Sequence, residues 1–219
     1  SENILLEKPV CCSHEDYEII VQLLKENNVR VAYNRRYYHD FLEIKKILKG
    51  SKITNITIFD QQTEVDFEAY RLAQMDGRIH VANSIHSFDL MQYVLLNSSQ
   101  TKISSVEKVS GGAQGKLYLI KSQDGVLGTY FCSTTQTGPW RVCMHFDNYF
   151  VEFKSHEEVT ITDAHRKEVF FSRANQTGYK LGISELLRDV FDNPLGSRLP
   201  NLTEDRELFN LMMQVELND

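Results

Sequence analysis

The sequence predicts an α+β fold: a large, mostly antiparallel open sheet with helices packed on one face, preceded by a short remnant of a parallel α/β layer. Three observations predict it. The chain opens with two short apolar runs, residues 4–6 and 29–33, separated by one amphipathic helix, which is the strand–helix–strand unit of a parallel layer. Between 105 and 171 extended segments follow one another, with turns such as Gln123-Asp124-Gly125, Gly138-Pro139 and Asp147-Asn148 between them. Helical periodicity then returns near 179–191 and 204–217.

Each element has a local cause. Ser13 can cap a helix with Asp16 at the reciprocal position, and Tyr17, Ile20, Leu23 and Leu24 share one helical face before Asn27-Asn28 ends it. A second helix is expected over 37–49, with the stripe Phe41, Ile44, Ile47 and Leu48 and with Gly50 as its stop. Ile53, Ile56 and Ile58 begin a strand. Residues 63–75 form a weak helical stretch and 86–96 a stronger one, with Leu90, Tyr93, Val94 and Leu96 toward the core. The later strands are expected at 105–109, 116–122, 126–134, 140–146, 149–154, 158–162 and 167–171. Leu117-Tyr118-Leu119-Ile120 and Phe150-Val151-Glu152-Phe153 leave one face partly polar, as in a sheet with one wet or partner-covered side. Thr203 is the expected cap of the last helix. The glycines of Ser110-Gly111-Gly112-Ala113-Gln114-Gly115 lie between two strands, so they predict a hairpin or loop and no dinucleotide fingerprint.

Composition narrows the function classes. The 219 residues are 42% hydrophobic and 25% charged, as in an ordinary globular protein. The net charge of -6 argues against nucleic acid as a partner. No stretch has the length and apolarity of a membrane span, and no signal-peptide pattern opens the sequence. Cys11, Cys12, Cys132 and Cys143 lack metal-ligand spacing and are too few for a disulfide framework. The expectation is reduced thiols in a cytoplasmic protein, with no metal. The glycosylation triplets at Asn55, Asn97, Asn175 and Asn201 arise easily by chance.

Four stretches carry a resemblance: Glu7-Lys8-Pro9, Tyr33-Asn34-Arg35-Arg36, Ile85-His86-Ser87-Phe88-Asp89, and the C-terminal GYKLGISELLRDVF…LPNLTEDRELFNLMMQVE. In this order and spacing the chain resembles the Gfo/Idh/MocA (glucose–fructose oxidoreductase / inositol dehydrogenase) family over essentially its whole length. The resemblance implies that residues 1–36 are the C-terminal remnant of a Rossmann-like domain. Residues 37–219 would be the family's substrate-binding and oligomerisation domain. The Gly-rich turn of a Rossmann domain would then lie upstream of Ser1, and the sequence is expected to be a piece of a longer protein. NAD or NADP would serve the intact protein, and none is expected to bind this chain alone.

The resemblance also implies roles. Lys8 would lie by the nicotinamide and the reacting hydroxyl, with Glu7 and Pro9 beside the cofactor and a cis bond before Pro9; by its own position Lys8 reads equally as an exposed strand-end lysine. His86 would face the substrate as acid/base for the hydroxyl proton, an alternative to a helix-start histidine making a local bond. Many family members have an acidic residue four positions before this histidine and often glycine two before it. This chain has Ala82 and Ser84, which removes a second proton-handling group. Asn34, Arg35 and Arg36 follow a strand end, where α/β proteins place ligand contacts, and Arg35 or Arg36 suits an anionic group. Tyr33, at the strand's end, reads either as lining the cleft or as simply packing. Arg36 reads equally as a solvated cation paired with a carboxylate. Trp140 suits stacking on a sugar or plugging a dimer interface, and Asp89 reads as a first-turn carboxylate favoured by the helix dipole.

The function expected from these readings is the substrate-binding and dimerisation part of an NAD(P)-dependent oxidoreductase. The substrate would be a sugar, cyclitol or nucleotide-sugar-like molecule, oxidised at a hydroxyl. The alternatives are an NAD-dependent glycosidase of the same family and a non-catalytic binding and dimerising domain. A homodimer through the outer sheet face is expected because Tyr118, Tyr130, Trp140, Val142, Met144, Phe150 and Phe153 exceed what one helix-covered face absorbs.

Overall fold

A computed structural model describes residues 2–25, 27–62, 80–112, 115–133, 138, 140–174, 181–193 and 197–217. The helix expected over 63–75 and Pro139 of the Gly138-Pro139 turn lie outside these residues.

Strands β1 (Asn3–Leu6) and β2 (Asn28–Val31) pair in parallel, from Asn3↔Asn28 to Leu6↔Val31, and α1 (His14–Leu24) joins them. Ser13 Oγ caps α1 by accepting from the Asp16 amide at 3.1 Å and donates to the Asp16 carboxylate at 2.6 Å. Tyr17 is buried and Val21 packs against the core, whereas Leu23 is 73% exposed. Six positions after Tyr17 the helix has turned Leu23 away, and Val21, four after it, takes the inward place expected of Leu23.

Tyr33 N turns back to Val31 O at 2.9 Å, and the chain enters a 3-10 turn, Asn34–Tyr37. Asp40 then starts α2 (Phe41–Leu48) afresh, its carboxylate accepting from Leu42 N at 3.0 Å and Glu43 N at 3.1 Å. The single helix expected over 37–49 is therefore two pieces divided by a cap. Strand β3 (Ile53–Gln61) follows, and a π-helical turn, His80–Ser84, leads into α3 (Ile85–Ser98).

The remaining strands are β4 (Ile103–Gly112), β5 (Gly115–Ser122), β6 (Leu127–Ser133), β7 (Arg141–Phe146), β8 (Tyr149–Lys154), β9 (Glu158–Asp163) and β10 (Glu168–Arg173). Gly112 faces Gly115 in the β4–β5 hairpin, which is where the glycine-rich segment sits. Helices α4 (Ile183–Asp192) and α5 (Leu202–Leu217) complete the described chain. Asn201, not Thr203, caps α5: its side chain accepts from Thr203 N at 2.9 Å and Glu204 N at 3.0 Å, while Glu204 accepts from Asn201 N at 2.9 Å.

The large sheet runs β10-β9-β8-β7-β3-β6-β5-β4, and among the described residues β3–β6 is its parallel pair. A Cβ at Gly128 would come 2.5 Å from Ile56 O, so glycine lets these two central strands close. The inner face packs on α3 and α5. Phe88 meets Tyr130 edge-on at 5.0 Å, and Leu90, Val94 and Leu95 are buried; Leu95 fills the place expected of Leu96, which is 49% exposed. Tyr118, Tyr130, Val142, Met144 and Phe153, counted as outward surplus in the sequence, are all fully buried under the helices.

Of the residues counted in the sequence, the outer face carries Phe150, with others beside it. Phe59, Phe131 and Leu117 form one row across β3, β6 and β5, and Phe150 and Phe171 stand on β8 and β10. Toward β10 it becomes charged, with Arg141–Glu152 at 3.2 Å and Arg173–Glu158 at 2.6 Å. The parallel β1–β2 unit shares the main core: Tyr17 of α1 stacks on Phe209 of α5 at 4.9 Å between ring centroids.

Candidate functional site

Strand β1 delivers Glu7, Lys8 and Pro9 to its C-terminal end, with Glu7 exposed and Lys8 half-buried. The Lys8–Pro9 bond is cis, as the resemblance implied. Lys8 Nζ donates to Ala82 O at 2.7 Å. Ala82 lies in the π turn that starts α3, four residues before His86, so the strand-end ammonium is tied to the turn that presents the histidine. The position without an acidic side chain still offers an oxygen to the lysine, from its backbone. His86 is buried, and Tyr33 meets its ring edge-on at 6.0 Å.

A buried polar network fixes this turn from below. Gln62 Nε2 donates to Asp60 Oδ1 and to Ser84 Oγ, both at 3.2 Å, and Gln62 Oε1 accepts from Asn83 at 3.2 Å. Tyr130 donates to the other Asp60 oxygen at 3.2 Å. Burial pushes the Asp60 carboxyl up, against the hydrogen bonds from Ser84, Gln62 and Tyr130.

The Tyr33–Arg36 stretch divides its side chains among different partners. Tyr33 is fully buried and donates to Asp205 Oδ1 at 2.7 Å; Tyr17 donates to Oδ2, also at 2.7 Å. Burial pushes the Asp205 carboxyl up to about 6. Asn34 is buried and donates to Leu181 O at 2.9 Å and to the Tyr38 hydroxyl at 3.2 Å. A Cβ at Gly182, where φ is +73, would come 2.4 Å from Asn34 O, which keeps this contact open only to glycine. Arg36 is largely covered rather than solvated, its side chain 12% exposed: Nε lies 3.1 Å from both Asp89 oxygens and Nη2 2.6 Å from Oδ1, a bidentate pair. Asp89 is thus the counter-ion of Arg36 and not merely a helix-start carboxylate. Burial pushes Asp89 up, and Arg36 pulls it down.

Arg35 takes the opposite direction, toward the sheet. Its guanidinium lies 5.0 Å from the Trp140 ring centroid, and Nη1 is 2.7 Å from His156 Nδ1. Trp140 donates its indole N–H to Gln61 O at 2.8 Å, at the end of β3. His156 Nε2 is 2.8 Å from Ser87 Oγ, and its carbonyl accepts from His39 at 2.9 Å. Lys8 therefore reaches the turn before α3 through Ala82 O, and Arg35, over Trp140, reaches the first turn of α3 through His156 and Ser87. The Tyr33 ring meets His86 while its hydroxyl is held by α5, and Asn34 is bound to the approach to α4. His156, Asp205, Asp60 and Gln62 went unmarked in the sequence, where His156 reads as the turn after β8 and Asp205 as a first-turn acid.

A cavity of about 510 Å³ opens beside Arg36, Asp89 and Arg198, and a groove of about 1080 Å³ runs beside α2; neither is lined by Lys8 or His86. Burial pushes the Cys11 and Cys143 thiols up to about 11, which leaves both protonated at neutral pH and poor nucleophiles. Among the described residues no group of His, Cys, Asp and Glu is placed to hold a metal ion, and no helix is long and apolar enough to cross a membrane.

No protein-family model matches the chain, and no curated protein matches it by sequence. Solved structures do resemble it. UDP-N-acetylglucosamine 3-dehydrogenase GnnA from Acidithiobacillus ferrooxidans superposes with a TM-score of 0.70 at 11% identity, over 98% of this chain and 69% of that one. An inositol dehydrogenase homolog from Azotobacter vinelandii, complexed with NADH and myo-inositol, gives 0.70 at 12% identity, over 98% and 68%. The super-repressor mutant of Gal80p from Saccharomyces cerevisiae gives 0.70 at 12% identity, over 98% and 69%. The fold is that of the Gfo/Idh/MocA-type oxidoreductases, and the share of each relative covered fits their C-terminal domain.

Proposed function

We propose that this chain is the substrate-binding and dimerisation part of an NAD(P)-dependent oxidoreductase acting on a hydroxyl of a sugar, cyclitol or nucleotide-sugar-like molecule in the cytoplasm. The observation that supports this most is the 2.7 Å bond from Lys8 to Ala82 O, which joins the strand-end cation to the turn carrying His86. An ammonium and an imidazole at one helix start suit alcohol oxidation: the first steadies the developing alkoxide, and the second takes the hydroxyl proton. These donors fit the nicotinamide end of a dinucleotide, with Glu7, Lys8 and Pro9 beside it. The sequence holds no helix-opening glycine loop for the pyrophosphate. When bound, the nicotinamide would take or return the hydride.

In the intact enzyme, Lys8→Ala and His86→Ala each lower turnover by about 10²-fold or more, while the unfolding midpoint moves little. Cofactor reduction assayed over sugars, cyclitols and nucleotide sugars measures this, and unchanged turnover returns both residues to structural roles. Release of free sugar from an aryl glycoside without net reduced cofactor would instead identify the glycosidase. Ala82 favours the non-catalytic reading as the second one, because the chain has no carboxylate at that position for a proton relay.

Dimerisation is proposed through the outer sheet face. Phe59 is 37% exposed and Phe171 50% exposed, with Leu117 and Phe131 half-buried beside Phe59. Uncovered apolar sheet faces are usually interfaces, and a two-fold dimer covers both copies at once. Light scattering at tens of micromolar gives a dimer mass, and Phe131→Glu gives a monomer. A monomer mass for the unaltered chain rejects the interface.

A further inference from the structure

Two adjacent arginines leave the 3-10 turn, and among the described residues only one of them meets a carboxylate. Arg36 is neutralised by the bidentate Asp89 contact. Among the described residues, no carboxylate lies within ion-pairing distance of Arg35; Asp60 and Glu157 reach it only through longer-range attraction. Its close neighbours are the Trp140 ring, the Tyr38 hydroxyl and His156.

The contact with His156 does not compensate the charge. A guanidinium only donates, so His156 Nδ1 must accept, and the ring proton sits on Nε2, facing Ser87 Oγ at 2.8 Å. Burial, reinforced by the Arg35 charge, holds His156 well below the ordinary imidazole range, so the ring is neutral. The ring cannot turn to follow a ligand either. It is buried, bonded at both nitrogens, and packed edge-on against Trp140 at 5.2 Å. Arg35 is thus aimed by rigid neutral groups, half-buried, with donors beyond those that His156 and Tyr38 engage.

We propose that Arg35, backed by Trp140, His156 and Tyr38, is an anion subsite that receives a carboxylate or phosphate group of the substrate. This rests on the oxidoreductase reading and narrows its substrate class to anionic sugars. The planar fork matches both oxyanions, and partial burial strengthens the contact over one in open water. Two hydrogen bonds, Arg35 to His156 and His156 to Ser87, connect the subsite to the residue after His86. An anionic group held at Arg35 therefore fixes its molecule at the turn that carries the acid/base histidine.

Trp140 is the single tryptophan of the chain, so its emission reports on this place alone. The chain is titrated with matched pairs: glucuronate against glucose, and UDP against uridine. Saturable change with the anionic member, weakened by salt and at least tenfold weaker for the neutral one, is the expected result. A response to glucuronate identifies a carboxylate ligand, and a response to UDP alone a phosphate. Equal responses within both pairs, or the same response to chloride and sulfate, overturn the subsite. Arg35→Gln loses the anion preference, and Arg35→Lys keeps part of it; retention by a folded Arg35→Gln also overturns it. The matched pairs on the unaltered chain decide the matter even where Arg35→Gln does not fold. Anion binding without any turnover in the intact enzyme leaves the subsite standing and rejects the oxidoreductase reading. Turnover of neutral sugars that is unaffected by Arg35→Gln does the reverse.

Discussion

Asp89→Ala lowers the unfolding free energy by about 3–5 kcal/mol, measured by denaturant titration. The loss comes from what remains. Arg36, its side chain 12% exposed, keeps its charge beside the Tyr93 ring, 4.7 Å from the ring centroid, and loses the carboxylate that held its Nε and Nη2. The Arg198 carbonyl, 2.6 Å from Nη1, satisfies one donor and cannot supply a countercharge. Domain stabilities of roughly 5–15 kcal/mol make such a loss a large fraction of the whole. The double variant Arg36→Met with Asp89→Leu loses far less, because no buried charge is left uncompensated. A loss below about 1 kcal/mol for Asp89→Ala would show that the guanidinium reaches water by a small side-chain movement.

The second large effect centres on Asp205, which accepts from Tyr17 and Tyr33 and is almost fully buried. Asp205→Ala strands the Tyr33 hydroxyl in the core and leaves Tyr17 only the Leu202 carbonyl at 3.0 Å, a cost of about 2–4 kcal/mol. Its pH dependence has a definite sign. Burial raises the folded carboxyl from 3.8 to about 6, so the folded state binds the proton more tightly than the unfolded state. The associated stability is fully present below about pH 4 and is lost as pH rises through about 6, a swing on the order of 3 kcal/mol. Burial shifts Asp89 and Asp60 in the same direction. Asp205→Asn flattens the pH 4–6 part of the stability profile. An unchanged profile in that variant would assign the slope to the other two carboxyls.

Local patterns made the elements legible. Ser13 with Asp16, the stripe of α2 and the alternating strands each involve neighbours within a few residues, and the structure keeps them. What lay beyond reach depends on partners far along the chain. Leu95 rather than Leu96 faces inward because α3 is enclosed by the sheet and α5, a setting its own sequence does not record. Tyr118 and Phe153 could be counted as large apolar residues, but which side of the sheet they face depends on a register set by other strands. The Lys8 and His86 positions were legible as motifs. The joint through Ala82 O was not, since a backbone carbonyl leaves no trace in a side-chain pattern. Nor was the separation of Arg35 from Arg36, because Asp89 and His156 lie 53 and 121 residues away from their respective arginines.

The parallel pair at the sheet centre also governs when the fold can form. Both neighbours of β3, strands β6 and β7, come much later in the chain, ending at Ser133 and Phe146. On a ribosome adding about 5–20 residues per second, β3 is made several seconds before either neighbour exists. During that interval Ile53, Ile56 and Ile58 have no ladder to join, and a long loop must close before the first native hydrogen bond of the centre is made. The outer hairpin β8–β9 involves only short-range closure and is available as soon as it is synthesised. Within the sheet, the sequence separation between paired strands is thus greatest at the middle, where β3 waits for both of its neighbours.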